Sequence, residues 1–120
     1  MTRRVLIVDD AATVRMYHRG ILEHAGFAVD EAENGYEGLE KAMQGGYDLF
    51  LIDVNMPKLD GYSLLRRLRA DPVAQSVPVI IITTETQDGD VALTAGANFC
   101  MTKPVSPEML ALYVRMACGA

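Results

Sequence analysis

Several residues able to do chemistry stand directly after short apolar runs. Asp9-Asp10 follow Val5–Val8, Asp53 follows Leu49–Ile52, Thr83-Thr84 follow Val79–Ile82, and Lys103-Pro104 close the segment opened by Phe99-Cys100-Met101. If the runs are parallel strands of one sheet, their C-terminal ends share an edge, where ligands of such sheets collect. Carboxylates brought together there repel by roughly 4 kcal/mol per pair at 4 Å and an effective dielectric of 20, so the arrangement calls for a cation. With neither His nor Cys in the set, oxygen ligands favour Mg²⁺ over zinc. A phosphate-directed reading also accounts for the others. Phosphoryl transfer spreads charge over three oxygens that need cations and donors, which the metal, Lys103 and Thr83 would supply. A carboxylate can itself be the nucleophile, and Asp53, on the central strand of this ordering, is the best placed.

The elements that must position these residues are legible in the hydrophobic pattern. Val5–Val8, Leu49–Ile52 and Val79–Ile82 are continuous apolar runs, as expected of strands covered on both faces. Ala28-Val29 and Phe99–Met101 are weaker strands. Between them the period turns helical, with Val14, Tyr17, Ile21, Leu22 and Ala25 on one face and Tyr36, Leu39, Ala42 and Met43 on another. Leu64, Leu65 and Leu68 mark a third helix opened by Asp60. Met109, Leu110, Tyr113, Val114 and Ala117 mark the last, opened by Ser106-Pro107. Gly26, Gly45-Gly46 and Gly96 suit helix stops. The fourth helix, within Asp88–Ala95, is short and carries Gly89, which costs about 1 kcal/mol in a helix interior. Five βα units follow, forming one doubly wound parallel α/β sheet in a single domain spanning residues 1–120.

Composition narrows the classes. Eleven Lys and Arg against sixteen Asp and Glu leave a formal charge of −5, which argues against capture of DNA as the main task. The four-residue apolar run near the N-terminus is too short for a signal core, and no stretch approaches the ~20 residues of a membrane span, so a cytoplasmic location is expected. Cys100 and Cys118 lie in no metal-ligand spacing and read as small reduced apolar residues, and the methionines as core filler. His18 and His24, six apart on the first helix, read as surface residues. Taken singly, Asp9 or Asp10 could be a helix cap, Asp53 a loop cap and Lys103 a solvated lysine; their joint placement favours chemistry.

Jointly, Ile-Val-Asp-Asp at 7–10, Leu-Ile-Asp-Val-Asn-Met-Pro at 51–57, Asp-Gly at 60–61, Ile-Thr-Thr at 82–84 and Thr-Lys-Pro at 102–104 resemble the response-regulator receiver family of two-component systems along the whole chain. The likeness is strongest to its stand-alone chemotaxis members. The resemblance implies a flavodoxin-like, CheY-like (βα)5 fold with strand order 2-1-3-4-5. It implies that Asp53 becomes a 4-aspartylphosphate by accepting phosphate from a histidine kinase of the CheA-like type. It implies Mg²⁺ held by Asp10, Asp53 and the backbone carbonyl of Asn55, with Asp9 acting through water. Thr83, Thr84 and Lys103 would meet phosphoryl oxygens, Asn55 and Glu85 would tune the lifetime, and the Lys103-Pro104 peptide would be cis. Such a protein is not an enzyme in the turnover sense, catalysing only its own phosphorylation and dephosphorylation. The implied output partner is a flagellar motor switch protein or a phosphatase, and the implied state a monomer.

Within this reading, a phosphorelay shuttle or a receiver detached from a longer regulator is the alternative role. Two rivals come from other classes. A haloacid-dehalogenase-like phosphatase wants a second Asp where Asn55 stands, and a flavodoxin-like cofactor binder lacks a glycine-rich phosphate loop after the first strand. The chain departs from the receiver pattern at Cys100, three before Lys103, where an aromatic coupled to the switch threonine is usual.

Overall fold

The computed structural model describes residues 2–85 and 88–119. In chain order the elements are β1 (Arg4–Val8), α1 (Ala12–His24), β2 (Ala28–Ala32), α2 (Gly35–Met43), β3 (Leu49–Asp53), α3 (Gly61–Ala70), β4 (Val79–Thr83), α4 (Gly89–Thr94), β5 (Phe99–Thr102) and α5 (Pro107–Cys118). All strands are parallel, in the order β2-β1-β3-β4-β5.

Side chains of successive strand residues point to opposite faces, and here both faces are apolar because helices cover both. Leu6, Val8, Phe50, Ile52, Val79 and Ile81 pack with Ala42, Leu64, Leu65, Leu68 and Ala92 of α2, α3 and α4. Val5, Ile7, Leu49, Leu51, Ile80 and Ile82 pack with Leu22, Leu110 and Val114 of α1 and α5. Each fully buried Leu or Ile contributes roughly 1.5–3 kcal/mol over its exposed state. All five residues of β3 and of β4 are buried, the physical origin of the unbroken apolar runs that precede Asp53 and Thr83.

The helix ends follow from local chemistry. The Asp60 carboxylate accepts from the Tyr62 and Ser63 N–H groups, and Ser106 Oγ from Met109 N–H with Pro107 opening α5. Asn34 caps α2 through Glu37 N–H, a cap the sequence pattern did not single out. Gly26, Gly45, Gly46 and Gly96 all have positive φ after helix ends.

Several expectations are corrected. β2 runs to Ala32, through Asp30 and Glu31, because an edge strand needs fewer apolar residues. Asp30 is held by Arg4 and Tyr47, and Glu31 by Arg15 and Arg19. Tyr17, Tyr36 and Met43 stand half-exposed rather than on the packed faces. α1 buries His18 and Leu22 instead, and α2 buries Gly35, Gly38 and Ala42. Gly38 packs on Val8, leaving no room for a side chain. Met56 and Met101 are buried, but Met16, Met43, Met109 and Met116 are exposed, so core filling describes only two of the described methionines. No helix among the described residues is long and apolar enough to cross a membrane.

Candidate functional site

Parallel register brings the strand ends together. Val8 pairs with Ile52, so Asp9 and Asp53 end adjacent strands; Asp53 pairs with Ile82, and Thr83 with Thr102. Lys103 N–H then donates to Thr83 O at 2.7 Å, carrying the sheet one residue further and placing the lysine beside the aspartates. The Lys103-Pro104 peptide is cis.

One carboxylate oxygen from each of Asp9, Asp10 and Asp53 lies within 4.8 Å of the others. Asp9 and Asp53 are 2 % and 3 % exposed, and Asp10 opens to solvent. Asp9 Oδ1 accepts from Ala11 N–H at 2.9 Å, which orients the carboxylate without capping α1, whose N-cap, Ala11, has no side-chain bond. Lys103 Nζ stands 3.1 Å from Asp53 Oδ1 and 3.9 Å from Asp9 Oδ2. This buried Asp53 oxygen thus has an ion-pair partner but no full hydrogen bond. Burial pushes the Asp53 carboxyl above its ordinary pKa, and the Asp9 charge pushes the same way, against Lys103 and the Asn55 N–H. Three carboxylates thus face one ammonium, leaving an uncompensated excess of negative charge. An all-oxygen donor set with an under-coordinated buried carboxylate oxygen fits a hard divalent cation.

Gly61 fixes the loop beneath the site. A Cβ there would lie 2.6 Å from Asp53 O and 2.8 Å from Val54 Cα, so the start of α3 touches the end of β3 only because residue 61 is glycine. The Asp60-Gly61 pair therefore supplies a cap and a close approach. Asn55 is exposed on the loop after β3.

Thr83 is fully buried; its Oγ1 donates to Asp88 Oδ2 at 3.0 Å and accepts from Glu85 N–H at 3.1 Å. Thr84 is exposed and lines a cavity of about 420 Å³ beside the site with Val14, Tyr17, His18, Lys103 and Val105. Cys100 and Cys118 are free and half-buried.

His18 is the residue that sequence reasoning misplaced. It is 4 % exposed, on the inner face of α1. Burial pushes its imidazole pKa down, with Lys103 acting the same way and Asp9 opposing. The signal was present, because Val14, His18 and Leu22 recur every four residues along the packed stripe. His24 is exposed, as expected.

The sequence profile of the response regulator receiver domain matches residues 5–115. PilH of Pseudomonas aeruginosa is 40% identical over 109 residues, 89% of this chain and 90% of that protein. The chain spans only 13% and 46% of two larger curated relatives, the gliding motility regulatory protein of Myxococcus xanthus and ResD of Bacillus subtilis, at 41% and 35% identity over 83% and 93% of this chain. Among solved structures, chemotaxis protein CheY4 of Vibrio cholerae superposes with TM-score 0.91 at 30% identity, over 98% of this chain and 99% of that one. The receiver domain of sensor histidine kinase PA1611 from Pseudomonas aeruginosa, described with a magnesium ion coordinated in its active-site cleft, superposes with TM-score 0.92 at 29% identity over the whole of both chains. With the profile covering most of its length and the strand order matching, this chain belongs to the response regulator receiver family of two-component signalling.

Proposed function

We propose that the chain is a phosphoacceptor switch in which Asp53 takes a phosphoryl group from the phosphohistidine of a partner kinase. The observation that carries this reading is the position of Asp53, buried at the end of the central strand, with Lys103 3.1 Å away and the Asp9-Asp10 pair on the neighbouring strand. An oxygen of Asp53 forms the new O–P bond as the donor's N–P bond breaks and its electron pair returns to the imidazole. The carboxylate must be ionised to attack, and Lys103 opposes the burial that would protonate it.

Asp10, Asp53 and the Asn55 carbonyl would hold Mg²⁺, with Asp9 acting through water. The cation supplies charge neutralisation to the carboxylates and to the transferring oxygens. Lys103 meets one phosphoryl oxygen, and the hydroxyls of Thr83 and Thr84 are the strand-end donors for another. Self-catalysed gain and loss of phosphate is the whole of the chemistry, so substrate turnover is not part of this reading. The 99% coverage of the chemotaxis protein CheY4 supports a role in chemotaxis-type signalling, through a CheA-like kinase and a motor-directed or phosphatase partner.

Incubation with acetyl phosphate and Mg²⁺ followed by intact-mass spectrometry tests the assignment. One phosphoryl group should be added to the parent and none to Asp53→Asn. Equal labelling of the two proteins would refute Asp53 as the acceptor.

A further inference from the structure

The Thr83 hydroxyl carries one hydrogen, and in this structure it goes to Asp88 Oδ2. Asp88 occupies the N-cap position of α4, yet its carboxylate caps nothing. Its side chain is committed to Thr83 instead. Tyr62 of α3 reaches the same carboxylate: its hydroxyl is buried and interacts with Asp88, short of a full hydrogen bond. Burial, then Asp88, raise the Tyr62 pKa to about 12, so the phenol stays protonated and remains a donor. Cys100 adjoins the same phenol, and both pack on the core cluster that includes α3 and α4. A buried donor with an incomplete bond therefore stands beside a carboxylate whose orientation is set by Thr83.

We propose that Asp88 is a two-way acceptor that couples the acceptor site to Tyr62, holding the Thr83 hydroxyl in the unmodified protein and turning to the Tyr62 hydroxyl when a phosphoryl oxygen claims Thr83. The inference rests on the phosphoacceptor reading of Asp53. Its physical basis is competition for single hydrogens: Thr83 cannot donate to Asp88 and to a phosphoryl oxygen at once. Once Thr83 leaves, the carboxylate is free to reorient and complete its bond with the phenol. Tyr62 is then a positioning residue that favours the modified state, and the surface formed by α3, α4 and β5 differs between the two states.

The test uses beryllofluoride with saturating Mg²⁺ as the phosphoryl mimic, titrated into the parent, Tyr62→Phe, Asp88→Ala and the double variant. Tyr62→Phe removes a bond that is complete only in the modified state, so it should weaken mimic affinity about tenfold, the scale of one hydrogen bond to a charged group. In the Asp88→Ala background the same change should have no effect. The Tyr62 ¹³Cζ resonance of the parent should also shift on adding the mimic, a readout that needs no variant to fold. Tyr62→Phe binding within twofold of the parent, an equal loss with and without Asp88, or an unmoved Tyr62 resonance in mimic-bound parent would overturn the coupling while leaving Asp53 as acceptor. A parent that binds no mimic would overturn the phosphoacceptor reading and the coupling together.

Discussion

Replacing Asp53 by Asn in metal-free protein should make the fold more stable at neutral pH. At an effective dielectric of 20, Lys103 at 3.1 Å attracts the Asp53 charge by roughly 5 kcal/mol. Asp9, within 4.8 Å, repels it by roughly 3–4 kcal/mol. The two contributions largely cancel, and the several kcal/mol needed to bury an ion in a residue 3 % exposed decides the sign. A net cost of about 1–2 kcal/mol remains for the charged form, which Asn does not carry, while Lys103 keeps Asp9 as a partner. For a chain of this length that is a rise in Tm of about 4–8 °C. The pH dependence follows from linkage. The folded pKa of Asp53 is raised, so its favourable contribution is full below the unfolded carboxyl value of about 4 and is lost as pH rises through the folded value. The advantage of the Asn variant should therefore vanish in acid and grow toward neutrality. Calorimetry of both proteins in EDTA between about pH 4 and about pH 8 would show it. An Asn variant less stable than the parent at neutral pH, or a gap indifferent to pH, would refute this account of the site's electrostatics.

Mg²⁺ at ten times its dissociation constant should raise the parent Tm by about 5 °C, and Asp10→Ala should lose most of that gain in the same thermal melt. Gly61→Ala should cost about 2 kcal/mol or more in urea unfolding, because its Cβ would meet the backbone of Asp53 and Val54 rather than a flexible side chain. His18 has a folded pKa below its unfolded value, so stability is full above about pH 6.5 and falls as acid protonates the unfolded chain first. Imidazole NMR titration should place His18 below the ordinary imidazole value, and His18→Leu should flatten the acid side of the stability curve.

The parts of this protein legible in the sequence are those where one physical demand dominates. Val5–Val8, Leu49–Ile52 and Val79–Ile82 of β1, β3 and β4 are buried on both faces, which selects apolar residues there, and the parallel sheet follows. Positive φ after helix ends selects glycine, as at Gly26 and Gly96. The strand-end positions of Asp9, Asp10, Asp53 and Lys103 follow from the same periodicity, because strand ends in a parallel sheet share one edge. What sequence left open depended on neighbours distant along the chain. Asp30 and Glu31 belong to a strand only because Arg4, Tyr47, Arg15 and Arg19 come to meet them from other elements. His18 lies on the side of α1 that faces Lys103, Pro104 and Val105 of the β5–α5 loop, a neighbourhood that comparing it with His24 by spacing alone passed over. Tyr62 and Asp88 lie 26 residues apart by number, and neither carries a motif. Their relation to Thr83 exists only once α3, α4 and the end of β4 are packed together, since a hydrogen bond is decided by where a donor and an acceptor meet.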